Sequence, residues 1–368
     1  MSFLASCRVC KSKKLVEIGS LGDIAISDFT KRPSKGHKYP LALVYCKDCT
    51  LLQLDKTAPR NLLYKNYWYQ SHINPVIEKD LKQIGGLCKG LHIDIGSNDG
   101  TLLKYSKAKA KIAVDPSNIE PDGCSWIQAY WENVALVDDA QTITAIACLY
   151  DLPNPNRFIA NVKTHLAPNG VFIAQLQTLS PMVELNDVGN ICHEHIEYYS
   201  YKSLKVLFER NGLEIYKVET NTINGGSYRI FARHLNKGSI DFQEKTYRVK
   251  ELKNFFKRIS RERDSLKFFL KTYINKHVYG YGASTKANTI LQYYQVKLRG
   301  IVDVNPQKNA MYTVATNIPI IDKIPADCEY LWVFPYGFLD YFKKKEKGYK
   351  GKWITTIPEF KVYESSTR

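Results

Sequence analysis

Apolar and polar positions first organise themselves at residues 91–118. Leu91 to Ile95 is a short apolar run that reads as a buried strand, and a tight loop bounded by Gly96 and Gly100 follows it. A helix is expected from Thr101, and Lys111 to Val114 forms a second apolar run that ends on Asp115. A strand, a glycine-bounded turn, a helix and a strand ending in an acid make up a nucleotide-binding βαβ unit. The glycines let the backbone approach a ligand, and Asp115 is placed to accept hydrogen bonds from ribose hydroxyls. Asp94-x-Gly96-x-x-x-Gly100 departs from G-x-G-x-x-G, which argues against a dinucleotide.

The alternation continues downstream. A third strand precedes Ala129-Tyr130-Trp131-Glu132, where adenine contacts fall in such folds, and Thr144 to Leu149 predicts a fourth. Phe158 to Leu166 reads as a helix, Pro168-Asn169-Gly170 as a turn and Val171 to Gln175 as a fifth strand. The pattern predicts an α/β protein with a doubly wound, mostly parallel sheet. Helices are also expected over Pro75 to Gly85 and Ser203 to Asn211, with a hairpin around Asn224-Gly225-Gly226-Ser227-Tyr228-Arg229. Val249, Leu252, Phe256, Ile259, Leu266 and Leu270 keep helical spacing in a strongly basic stretch, which reads as a connecting helix with a solvated face. A second βαβ-like unit follows, from His277 through Gly280-Tyr-Gly282-Ala-Ser284-Thr-Lys286 to the strand that ends at Asp303. Small residues and a lysine ahead of a helix N-terminus form an anion site. The remaining length suits a half-Rossmann module that binds a nucleotide or diphosphate.

Composition adds limits. The 368 residues suit two or three domains. The start of the sequence lacks the pattern of a signal peptide, and no apolar run approaches the ~20 residues of a membrane span, so a cytoplasmic location is expected. The formal charge of +16 attracts anions, but the lysines are dispersed and do not form one arm. Four of the nine cysteines form two C-x-x-C knuckles, Cys7/Cys10 and Cys46/Cys49, suited to a structural tetrahedral zinc. The segment between them, with Phe29, Pro33, Gly36 and Pro40, reads as loop-rich, so the metal is expected to supply folding energy.

Two clusters carry acid–base chemistry. Tyr64-Lys-Asn-Tyr67-Trp68-Tyr69-Gln70-Ser71 offers phenols and a hydroxyl, either as a lid or as packing between domains. His193-Glu194-His195 is the densest acid/base cluster in the chain. It is not H-E-x-x-H, so a zincin site is not supported, but a histidine beside a carboxylate suits a tuned general base.

The glycine loop resembles the first motif of class I S-adenosylmethionine (SAM) methyltransferases. The whole series resembles the sugar C-methyltransferases that act on nucleotide-linked keto-deoxysugars. It runs from the paired knuckles through the tyrosine-rich segment, Asp-Ile-Gly-Ser-Asn-Asp-Gly, His-Glu-His, Asn-Gly-Gly-Ser-x-Arg and Tyr-Gly-Ala-Ser-x-Lys to Asp-x-Asn-Pro. The resemblance implies a zinc module over residues 1–60, a SAM-binding domain over 61–240, the basic connecting helix over 241–276 and a nucleotide-sugar-binding domain over 277–368. It implies SAM and structural zinc as cofactors and a thymidine-diphosphate 4-keto-6-deoxysugar methylated at C3. His195 would be the base, with Glu194, His193, Tyr67 and Tyr69 around the sugar. Asp94, Gly96, Asn98, Gly100, Asp115 and Trp131 would hold SAM. Ser71, Arg229, Ser284, Lys286 and Asp303 would hold the substrate.

Two positions depart from the family where a sugar would be read. Cys192 stands where tyrosine is usual, and Leu149-Tyr150-Asp151 replaces an Ala-His pair. Ala287 also replaces a common glycine. Transfer to oxygen or nitrogen on the same scaffold, a zinc-containing nucleic-acid-binding protein and an NAD oxidoreductase remain as competing readings. On the favoured reading neither a nucleic acid nor a membrane is a partner, and the oligomeric state is open.

Overall fold

The computed structural model describes residues 4–63, 70–136, 139–273 and 277–364, which form three main sheets. The central sheet has seven strands in the order Leu213–Asn221, Ser227–His234, Leu166–Gln177, Ala140–Ile146, Leu91–Ile95, Ala110–Val114, Ser125–Ile127. Ser227–His234 runs against the other six. The strand order reverses between Leu91–Ile95 and Ala140–Ile146, and a doubly wound sheet binds ligands at that switch point. This strand order, with its one antiparallel member, agrees with the doubly wound class I SAM methyltransferase sheet that the resemblance implies.

The helix Pro75–Gly85 and the strand Leu91–Ile95 fall where the apolar pattern puts them. The strand buries two polar side chains, and both find partners. His92 meets Ser106 Oγ at 2.9 Å and Thr144 Oγ1 at 2.8 Å, while Thr144 donates to Asp94 Oδ1 at 2.6 Å. The fourth strand ends at Ile146, earlier than the apolar run suggests. Ala147 has φ 58°, which turns Cys148 and Leu149 out of the sheet. The expected turn at Pro168-Asn169-Gly170 lies inside the extended span Leu166–Gln177, where pairing with the fourth strand jumps from Leu166 to Val171.

The N-terminal region corrects the loop-rich reading. Leu15–Ala25 and Lys38–Cys46 pair antiparallel, Leu52–Leu54 adds a third strand, and Glu197–Tyr198 completes the sheet from far along the chain. The prolines and glycines that suggest loops occupy tolerated places. Pro40 sits opposite Asp23 beside a register shift, where a missing N–H costs no regular ladder bond.

The C-terminal sheet has the order Ile320–Ile321, Ile301–Val302, Val278–Tyr281, Tyr330–Val333, Lys352–Thr355, Lys361–Tyr363, parallel except for the last strand. It has both wings of a doubly wound sheet, compressed into strands of two to four residues, so it exceeds the half module expected from its length. The basic helix spans Val249–Thr272 and buries Leu252, Phe255, Ile259, Leu266 and Phe269, with Phe256 and Leu270 at the seam's edge. It packs on Leu15–Ala25, where a Cβ on Gly19 would come within 2.7 Å of the Phe256 ring.

Hydrophobic contacts run across these sheets. One core joins Cys7, Val9, Cys46, Cys49 and Leu51 to the central sheet through Ile93, Tyr150 and Tyr199. Another joins Ile24, Leu41 and Leu43 to Phe255 and to the C-terminal Leu291 and Trp332.

Candidate active site

A cavity opens at the switch point of the central sheet. Its walls include Asp94, Gly96, Asn98, Asp115, Trp131 and Ser71 from the sequence-derived set. Gly96 has φ +70°, and a Cβ there would stand 3.2 Å from Cys148, so the backbone itself forms the floor. Asp115 accepts from the Asn98 amide at 2.9 Å and the Ser117 amide at 2.8 Å, which fixes the loop and aims the carboxylate. Ser71 is drawn to this loop, its amide donating to Asn98 Oδ1 at 3.2 Å, so it stands with the cofactor residues. Gly100 is absent from the cavity wall and serves as the N-cap of Thr101–Tyr105 at φ 74°. Ser97 Oγ, Ser117 Oγ and Trp131 Nε1 are buried without a hydrogen-bond partner among the described residues, and all three residues line the cavity. Orphaned polar atoms around a backbone cradle fit a polar cofactor such as SAM. Burial raises Asp94 to about 7, against its bond from Thr144.

Arg229 is not a free anion fork. It is 8% exposed, and its guanidinium reaches Asp80 Oδ1 at 2.6 Å, Gln175 Oε1 at 2.9 Å and Glu219 at 3.5 Å. Gln175 closes the circuit by donating to Asp80 Oδ2 at 2.6 Å. Asp80 and Gln175 both line the cavity, so Arg229 holds its wall from behind. Arg60 supports the opposite rim, with its guanidinium 3.8 Å from the Tyr130 ring centroid and 3.1 Å from Glu132.

The His193–Tyr198 segment is gripped mainly by the N-terminal sheet. His193 is buried and donates from Nε2 to the Ile24 carbonyl at 2.9 Å, so it anchors the segment. Leu54 donates to the Ile196 carbonyl at 2.9 Å, Glu197 and Tyr198 pair with Gln53 and Leu52, and Arg8 Nε lies 3.8 Å from Glu197. His195 points elsewhere. Its Nδ1 lies 2.8 Å from Asn190 Oδ1 and 3.2 Å from the Asn190 carbonyl, which can only accept. Nδ1 therefore carries the hydrogen, and Nε2 keeps its lone pair with no partner among the described residues. The Tyr150 ring packs edge-on at 4.4 Å. Burial, aided by the positive charge of Lys286, lowers the half-buried His195 to about 3. It is therefore neutral near pH 7. Glu194 is 8% exposed, burial raises it to about 7, and its Oε2 has no partner among the described residues. Tyr67 and Tyr69 lie outside the described residues.

The C-terminal loop behaves as a built turn. Ser284 caps Thr285–Tyr294 by accepting from the Ala287 amide at 3.2 Å. Lys286 reaches across to the buried Asp187 at 3.0 Å, where Tyr336 also donates at 3.3 Å. Asp303 accepts from the Asn305 amide at 2.8 Å and faces Lys308 at 3.7 Å, while Lys308 donates to the Ala283 carbonyl at 2.6 Å. These four side chains brace the loop and couple it to the His195 region.

The Sγ atoms of Cys7, Cys10, Cys46 and Cys49 all lie within 4.8 Å of one another, with Cys7–Cys49 and Cys10–Cys46 at 3.5 Å. Tetrahedral Zn–S bonds of about 2.3 Å place sulfurs about 3.8 Å apart, so the donor set and spacing fit zinc. Lys11 and Thr50, one residue past each knuckle, both have φ 65°, and their amides bond back to Cys7 and Cys46. Among the described residues the cluster includes no His or carboxylate ligand, which matches a structural metal.

Sequence reasoning missed Asp80, Gln175 and Cys148 in the cavity wall, while Tyr130 lies in the stretch read as adenine contacts and Asp151 at a position read as facing a sugar. Asp151 had a signal, since it departs from the family pattern immediately after the fourth strand.

Three family models match consecutive parts of the chain: a zinc binding domain over residues 7–64, a methyltransferase domain over 66–218 and a C-methyltransferase C-terminal domain over 222–358. The chain belongs to the SAM-dependent methyltransferases, with a zinc-binding module ahead of the catalytic domain and a C-methyltransferase C-terminal domain after it. It is similar from end to end to the C-methyltransferase NovU of Streptomyces niveus, 24% identical over 98% of this chain and 97% of that protein. Some solved structures are similar over part of the chain. A SAM-dependent methyltransferase from Clostridium acetobutylicum covers 43% of this chain and 89% of its own at 14% identity and a TM-score of 0.32. One from Listeria monocytogenes covers 43% and 97% at 13% identity and a TM-score of 0.34. No helix of the described residues is long and apolar enough to cross a membrane.

Proposed function

We propose that the chain methylates a carbon of a nucleotide-diphosphate-linked keto-deoxysugar, C3 of a 4-keto-6-deoxysugar, with His195 as the base. The observation that carries this reading is the His195 tautomer. A ring held at Nδ1 by Asn190, neutral, with Nε2 unpartnered among the described residues, is set up to take a proton. A SAM methyl transferred to oxygen or nitrogen has less need of such a base, because those atoms already carry lone pairs. The full-length likeness to a named C-methyltransferase supports the same choice.

SAM supplies an electrophilic methyl group on a sulfonium. His195 Nε2 removes the proton beside the ketone, and the C–H electron pair becomes the enolate double bond. With SAM held by the wall of Gly96 and Asp115, the enolate carbon would take its methyl group as the S–CH3 bond is released, leaving a C-methylated ketone, the thioether and an imidazolium on His195. Glu194, poised near neutrality, orients a sugar hydroxyl or the imidazole. Lys286 depresses the base, so an anionic diphosphate near it would cancel that field and strengthen His195 at the moment substrate binds. Ser284, Asp303 and the start of Thr285–Tyr294 frame that end of the substrate.

Incubation with S-adenosylhomocysteine and nucleotide-linked keto-sugars in deuterium oxide tests this. Exchange at one sugar carbon is expected, and His195→Asn should slow it by about 10²–10⁴-fold. Methyl transfer that persists in His195→Asn would remove the base from the mechanism.

A further inference from the structure

The strongest unassigned group in the molecule is Asp151. Its carboxyl lines the cofactor cavity, its Oδ1 is buried, and it makes no hydrogen bond among the described residues. It directly follows Tyr150, whose ring packs on His195 and whose carbonyl receives the amides of Ile196 and Glu197. Asp151 therefore stands in the wall between the place of the methyl donor and the base. Glu194, nine-tenths buried with Oε2 unpartnered among the described residues, lies close enough for its charge to act on Asp151.

We propose that Asp151 is a catalytic hydrogen-bond donor, whose protonated carboxyl holds the substrate's carbonyl oxygen as that oxygen becomes the enolate oxygen. This rests on the enolisation reading above and adds the group that stabilises the charge.

The surroundings favour the acid over its anion. Burial raises Asp151 well above the usual carboxylate range, and the neighbouring Glu194 and Glu197 add to that, opposed by Arg60 alone. The other titratable groups that feel Asp151 are Cys148, Cys192 and Tyr198, all held neutral by burial. A carboxylate would leave Oδ1 buried and unpaired among the described residues, whereas a carboxylic acid can donate to an oxyanion. Ketone enolisation needs such a donor because negative charge moves from the C–H bond to oxygen. The donor keeps its proton throughout. His195 takes the carbon-bound proton, and the enolate returns to a ketone once the new C–C bond forms, so no further reactant is required. The same geometry could instead receive a cationic substituent on a carboxylate, and the variants below separate the two.

The full chain with its metal is compared with Asp151→Asn and Asp151→Ala by solvent deuterium exchange into the keto-sugar and by S-adenosylhomocysteine calorimetry. A second measurement needs no substrate: carbon-13 NMR of protein labelled at aspartate carboxyls, with the Asp151 signal identified by its loss in Asp151→Asn. The proposal expects a neutral carboxyl at pH 7. Asp151→Asn, which still donates N–H, should keep exchange within about tenfold of the parent, while Asp151→Ala should lose about 10²–10³-fold. Both variants should bind S-adenosylhomocysteine like the parent. An ionised Asp151 at pH 7, equal loss in both variants or full exchange in Asp151→Ala overturns the proposal. If the parent exchanges no proton with any keto-sugar, the enolisation reading fails and takes this one with it. Parent exchange with the wrong variant pattern overturns only the role of Asp151.

Discussion

Replacing Arg229 by methionine separates two roles for the residue, an anion fork for the substrate and a brace for the cavity wall. Its guanidinium is 2.6 Å from Asp80 and 2.9 Å from Gln175, and both Arg229 and Asp80 are 8% exposed. Methionine keeps an apolar stem but removes the charge. Asp80 is then left with the Gln175 amide at 2.6 Å as its remaining donor. Removing one partner of a buried ion pair costs about 3–5 kcal/mol, because the surviving charge stays desolvated. The lost stem packing is smaller, within about 1 kcal/mol, so electrostatics decides the outcome. For a cooperative unit of this size that loss lowers the thermal midpoint by roughly 10 °C. Scanning calorimetry on the zinc-loaded protein reads it. Adding Asp80→Leu removes the stranded carboxylate and should return about 2 kcal/mol or more, a coupling that two independent sites would not show. Because Asp80 and Gln175 line the cavity, Arg229→Met should also weaken S-adenosylhomocysteine binding. An Arg229→Met protein with an unchanged midpoint, whose only defect is weaker nucleoside-diphosphate binding, would refute the brace and restore the fork.

Elemental analysis should find about one zinc per chain. Zinc that persists at that level in the double variant Cys7→Ser, Cys46→Ser would rule out the four-thiolate site. Asp94 is held near pKa 7 by burial, and the ionised form suits the cationic cofactor, so SAM affinity should rise by up to about tenfold from pH 6 to pH 8. Calorimetry across that range showing constant affinity would dismiss the role. The sign for stability is opposite: the folded-state value lies above the ordinary 3.8, so Asp94 costs the ligand-free fold increasingly as pH rises from about 4 through 7. His193→Phe removes the 2.9 Å bond to the Ile24 carbonyl. It should slow deuterium exchange several-fold while leaving S-adenosylhomocysteine affinity in place, and equal losses in both would mean that His193 does not act through the position of His195.

The central sheet was legible because its strands carry local signals. Leu91–Ile95 and the loop after it combine an apolar run, two glycines and a terminal acid within a few residues of one another. The metal ligands were legible for the same reason, since each knuckle is a four-residue word. Arg229 was misread because its partner Asp80 lies 149 residues away, and nothing local distinguishes a paired arginine from a free one. Ser71 shows the same limit, since only the fold brings it to Asn98. The N-terminal sheet was hidden by prolines and glycines that sit at bulges and at the hairpin tip. Asp151 was visible as an oddity, but its meaning depends on Tyr150, Glu194 and the cavity meeting in space.

The two-residue strand Glu197–Tyr198 bears on how separable the parts of this enzyme are. It is the outermost strand of a sheet whose other members all come from residues 15–54, and the residues that lead into it carry the candidate base. Cys7, Val9 and Leu51 also complete the hydrophobic core beneath the central sheet. A catalytic fragment expressed without the first sixty or so residues would expose that core, leave the strand without its ladder and release the loop that ends at His195. The three stretches recognised along the sequence are thus not interchangeable cassettes. Grafting a foreign N-terminal module onto this methyltransferase would succeed only if the graft reproduced the edge at Leu52–Leu54 and the Ile24 carbonyl, so inheritance and engineering must treat the pair as one piece.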